Sequence, residues 1–179
     1  MTPNASGRGV SVVLAFAISV AIASLLKPEA TAAKMKRVPL VLLSERDSAR
    51  LKLTDQEWRN VARERGLQGG PRIIFKSPAI SQSDGVPTIE TTSPTTLSVA
   101  FEDDRSPVDM STLEVTAHKG FFSKSLTATL QPFIHQNALD VSNASIPPGH
   151  FLLEVSIADQ AGNRTDETYR LEVTQGRDG

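Results

Sequence analysis

Apolar residues recur at every second position over most of the C-terminal two thirds of the chain. Phe151, Leu153, Val155 and Ile157 fall on one face of an alternating run, and Tyr169, Leu171 and Val173 repeat the alternation after a turn over Asp159–Asn163. Two alternating runs around a Gly/Asn-bearing loop are the sequence form of an antiparallel hairpin, here launched by Pro147-Pro148-Gly149. Upstream, Leu97, Val99 and Phe101 alternate with Ser98, Ala100 and Glu102, and Leu113, Val115 and Ala117 with Glu114, Thr116 and His118. Arg72-Ile73-Ile74-Phe75-Lys76 is a further short run, ending at Ser77-Pro78. Weaker strand signals lie at Thr88–Thr92, inside a Ser/Thr/Pro-rich stretch from Ser77 to Thr95 that reads as a linker, and at Leu126–Leu130 and Ala138–Val141. Short strands separated by turn signals predict a mainly β domain over residues 71–175, an antiparallel sandwich of about seven strands. The half-polar faces exclude a parallel α/β sheet, whose strands would be apolar on both sides. Residues 176–179 read as a tail.

The period changes once. Over residues 54–65 the spacing predicts one short helix, with Thr54 as N-cap, Glu57 closing a capping box, and Leu53 placed to staple onto Trp58. Gly66 supplies a stop, and Arg63 and Arg65 suit the negative helix end. So short a helix is marginal alone in water, so Trp58 is expected to dock on the domain or on a partner. Before it, Pro39 argues against a central strand in Val38–Leu43, leaving a packed extended segment or a tether.

The first 32 residues read as an export signal. Arg8 gives a short positive region, Val10–Leu26 is an uncharged apolar run of 17 residues, and Ala30-Thr31-Ala32 offers a cleavage site, with Ala21-Ile22-Ala23 an earlier one. An uncleaved membrane anchor is the alternative, although the run is at the short limit for a span. The expected address is periplasmic or extracellular. The chain has no cysteine, so no disulfide supports the fold and thiol chemistry is excluded.

The formal net charge of −1 hides a split. Residues 34–76 carry 11 Lys/Arg against 5 Asp/Glu, whereas the chain from Ser77 onward carries 6 against 14. Residues 33–70 therefore form a basic extension on an acidic domain. It can dock on that domain or meet an anionic envelope surface. Trp58, Arg59 and Arg63 are its candidate partner-binding residues.

The run Pro-Pro-Gly-His-Phe-x-Leu-x-Val-x-Ile-x-Asp-x-Ala-Gly-Asn at residues 147–163, with the alternating strand to Val173, resembles the end of bacterial immunoglobulin-like and fibronectin-type-III-like domains. Phe151 stands where fibronectin type III domains carry a tyrosine, and the cysteine pair and mid-strand tryptophan of antibody domains are absent. The resemblance implies an immunoglobulin-like β-sandwich and a role as an exported binding, adhesion or spacer module, in many cases linked to enzymes.

Candidate chemistry is sparse. In such a sandwich the loop after Glu102 and the final hairpin loop share one end. That would gather Glu102, Asp103, Asp104 and Asp109 near Asp159, Asp166 and Glu167, the kind of oxygen-rich surroundings Ca²⁺ needs. The alternative is turn chemistry, with Asp159 capping its own loop. His118, His135 and His150 follow no metal-ligand spacing, and no nucleophile elbow, zinc-protease helix or phosphate-cradling loop occurs. Asn143-Ala144-Ser145 and Asn163-Arg164-Thr165 are formal glycosylation sequons. The sequence points to a non-catalytic binding or scaffolding module of the cell envelope without a cofactor. Its alternatives are a calcium-stabilised adhesion or spacer domain and an accessory subunit of an envelope enzyme. The expected partner is a protein or envelope surface and not nucleic acid, with membrane contact only through residues 10–26 if they are retained.

Overall fold

A computed structural model describes residues 38–61 and 69–176. The export signal, Arg63, Gly66 and the tail from Arg177 lie outside the described residues. Among the described residues eleven strands and three short helices follow in chain order. They are β1 (Leu40–Val41), α1 (Glu45–Leu51), α2 (Asp55–Asn60), β2 (Arg72–Ser77), β3 (Ile80–Ser83), β4 (Val86–Ser93), β5 (Thr95–Glu102), β6 (Val108–Lys119), β7 (Phe122–Ser125), α3 (Thr127–Leu130), β8 (Ile134–His135), β9 (Ala138–Ser145), β10 (Gly149–Asp159) and β11 (Arg164–Gln175).

The strands form two sheets, an arrangement compatible with a β-sandwich. One has the order β1-β9-β5-β2, with β8 pairing β9; the other runs β3-β4-β11-β10-β6-β7. The hairpin read from the sequence is the centre of the second sheet, in the register Phe151↔Leu171 and Leu153↔Tyr169. The alternating residues do what their period requires. Val99, Phe101, Leu139 and Val141 of one sheet share a hydrophobic core with Leu113, Val115, Phe151, Val155, Leu171 and Val173 of the other.

The structure corrects the sequence reading in four places. The strand count is eleven rather than about seven, because the expected linker from Ser77 to Thr95 is mostly β3 and β4, a hairpin turning at Asp84-Gly85. Its Ser and Thr residues hid it. The sheets are mixed, not purely antiparallel: β1 runs parallel to β9 and β4 parallel to β11. Leu126–Leu130 is not a strand but leads into α3, because Leu126 and Leu130 are four residues apart and both are buried on one side. The helix expected over 54–65 stops at Asn60, where Val61 turns to an extended conformation.

The start of that helix matches its sequence signature. The Thr54 hydroxyl accepts from the Glu57 N–H while the Glu57 carboxylate accepts from the Thr54 N–H at 2.8 Å. The Thr54 N–H, helped by Lys119, holds the Glu57 carboxyl down to about 2. A second helix, α1, begins the same way, with the Ser44 hydroxyl accepting from the Asp47 N–H. It turns residues 38–61 back onto the sheets. Leu42, Leu43 and Leu51 are buried in the common core, and Leu53 bridges to His150 at the start of β10. The basic extension thus supplies part of the core of the domain that follows it.

Candidate functional site

Three places bring chemically capable side chains together. The first is the end of the sandwich where the Asp159–Asn163 turn meets the loop after β5. The shared end expected from the sequence is present: Val108 pairs with Asp159, and the Gln160 N–H donates to the Pro107 carbonyl. The carboxylates, however, are engaged separately. Asp159 is buried; one oxygen accepts from the Ala161 and Asn163 N–H groups at 2.9 and 2.8 Å, the other from the Asn163 side-chain amide at 2.8 Å. Asp103 caps the Val108 N–H, and Asp109 accepts from the Ser111 N–H and hydroxyl. Glu102 pairs with Arg72 at 2.5 Å, Asp104 lies 3.6 Å from Arg105, and Asp166 accepts from Arg164 and Ser156. Glu167 accepts from the Tyr169 hydroxyl. Among the described residues no three His, Asp or Glu side chains are grouped to hold a metal ion. Asp103, Asp109 and Asp159 serve their own loops, which is turn chemistry, whereas Glu102 and Asp166 bind partners on neighbouring strands. The turn is packed closely from outside as well. A Cβ on Gly70 would lie 2.3 Å from the Asn163 carbonyl oxygen, so only glycine passes there.

These contacts set a pH dependence. The Asn163 side-chain amide, followed by the turn N–H groups, outweighs burial and holds the Asp159 carboxyl below its ordinary range. Burial alone would raise Asp166, but the Ser156 hydroxyl and Arg164 guanidinium bring it below the ordinary value as well. Carboxyls lowered by folding contribute stability that is present above their unfolded pKa and lost as the pH falls through the folded one. The melting temperature is therefore expected to drop from about pH 5 to about pH 3. Asp159→Asn with Asp166→Asn should start lower at the upper pH and fall less steeply. An equal slope in the variant would show that other groups govern acid sensitivity.

The second place is the outer face of β10 and β11 beneath α2. Trp58 stacks on His150 with ring centroids 4.5 Å apart and planes 11° apart, and the Arg170 guanidinium lies 5.2 Å from the Trp58 ring centroid. Arg170 is only 2% exposed; it donates to the Val61 carbonyl at 2.7 Å and approaches Asp84 at 3.7 Å. His150 lies 3.7 Å from Asp55 and 3.8 Å from Glu172. Trp58 is thus engaged within the chain, while Arg59 is exposed on α2. Arg170→Ala is expected to free α2 and move the emission of Trp58, the chain's single tryptophan, to longer wavelength. Unchanged emission would mean that His150 stacking suffices.

The histidines are dispersed. His118 and His150 face outward on β6 and β10, where Leu152 is the partner of His118, and His135 is exposed on β8. An apolar void of about 50 Å³ within the core, lined by residues such as Leu43, Phe75, Val99 and Phe151, is far below the few hundred Å³ of a small-molecule site.

The third place was legible as a turn but not as a site. Lys119-Gly120-Phe121-Phe122 closes the β6–β7 hairpin, with Gly120 at positive φ. Phe121 is fully exposed, Phe122 is 58% exposed, and every residue of β7 is exposed. Phe121 lies in the turn after Gly120 and Phe122 opens the edge strand β7, so two phenylalanines directly follow a turn glycine. That was the available signal. The tip lies at the opposite end from Asp159, because β6 runs from Val108, opposite Asp159, to His118, opposite Leu152. No family model matches the chain, and none of the curated proteins matches it.

Proposed function

We propose that the protein is an exported, non-catalytic binding module of the cell envelope, built on an immunoglobulin-like β-sandwich. The orders β9-β5-β2 and β11-β10-β6-β7 support the fold reading, since they follow the E-B-A and G-F-C-C′ strand neighbours of that architecture. The apolar run Val10–Leu26 and the small residues after it support export. The observation that carries the binding role is the Phe121–Phe122 tip. Two phenylalanine rings held in water at the end of a hairpin are a cost to solubility that contact with another surface removes. The core does not use them.

The test is a photoreactive residue placed at Phe121 in cells producing the full chain, with Ala161 at the opposite end as control. Adducts at position 121 and few at 161 are the expected result. Absence of any adduct at position 121 would overturn the reading.

A further inference from the structure

Building on that reading, we infer that the surface met by the β6–β7 tip is the headgroup region of an anionic lipid bilayer. Shape is the first argument. The tip is convex and ends in two adjacent aromatic rings, so a protein partner would have to offer a matching cavity for it. A bilayer interface has no fixed shape and accepts apolar wedges flanked by cations.

Charge is the second. Lys119 and Lys124 flank the rings, and α1 packs against β6 and β7. Lys119 is turned back onto the Lys52 carbonyl and Glu57, both at 2.9 Å, and Lys124 lies 3.9 Å from Asp47. The stronger cationic contribution therefore comes from Arg46 and Arg50, one turn apart and exposed on α1, with Glu45 and Asp47 the neighbouring acids, Asp47 facing Lys124.

The chain has no cysteine, so Phe122→Cys in the full chain accepts one environment-sensitive fluorophore. The site is exposed and the fold should survive, which circular dichroism checks. The label is expected to shift to shorter wavelength with phosphatidylcholine–phosphatidylglycerol vesicles and not with phosphatidylcholine alone. The shift should disappear near 1 M salt, where screening is nearly complete. A label at Ala161→Cys should not respond. Adding Arg46→Glu and Arg50→Glu to the tip-labelled chain should weaken its response roughly thirtyfold or more in lipid concentration, since each lost cation counts several-fold. A tip label that stays water-like while the chain sediments with the anionic vesicles would overturn the inference. So would an equal response to phosphatidylcholine alone. Protein adducts at Phe121 in cells would overturn the lipid assignment yet leave the binding-module reading standing, whereas no adduct would remove both.

Discussion

Phe151→Ala is expected to lower the unfolding free energy by about 3–5 kcal/mol, the range for truncating a fully buried phenylalanine. Phe151 is 1% exposed and sits in the central pair of the larger sheet, flanked by β6 and β11. Its ring belongs to the cluster that includes Leu43, Leu126, Val141 and Leu171, so truncation opens a cavity that several elements would have to close together. A single domain of this kind has only about 5–15 kcal/mol of stability. Urea unfolding checks the expectation, and the midpoint should fall with an unchanged slope. A loss below about 1 kcal/mol would mean that the sheets collapse onto the space more readily than packed cores do.

Leu43→Ala combined with Leu51→Ala should cost about 4 kcal/mol or more, each leucine adding about 2–5 kcal/mol in a core. The same pair in a solvated tether would change stability by less than about 0.5 kcal/mol each. The two descriptions of residues 38–61 thus differ by several-fold in one measurement. Leu43 and Leu51 are each 3% exposed and pack with residues of both sheets. The loss should appear in the transition of the whole domain, not as a separate early step. An early step involving Trp58 fluorescence alone would show that the segment opens independently of the sheets.

How much of this was legible depended on where the information sits. The β10–β11 hairpin was readable because burial on one face imposes period two, and Phe151 to Val173 keep it nearly without fault. The capping box at Thr54 was readable because it is local to four residues. Ser44 and Asp47 carried a related signal for α1, masked by Pro39 and the apolar run between them. β3, β7 and β8 were invisible because short edge strands bury little and need no alternation; no residue of β7 is buried. The parallel pairings depend on residues far apart, and no local pattern encodes a distant neighbour. For the candidate sites, the acidic residues drew attention by their number, whereas the partner each one takes, in its own loop or on a neighbouring strand, is set by the fold. The Phe121–Phe122 pair beside Gly120 was visible as a turn, but the exposure that makes it a candidate site belongs to the folded chain.

The pairings that join the two ends of the chain also set when it can be complete. Leu40 meets Ala144 over a hundred positions later, and β4 waits for the last strand, β11. Neither contact can form before its later strand has been made, and contacts of such long range are slow to close. A chain leaving the ribosome therefore carries open sheet edges until β11 arrives. The same delay leaves the unfinished chain dependent on chaperones, and truncation before Gln175 should yield aggregates and not a smaller domain.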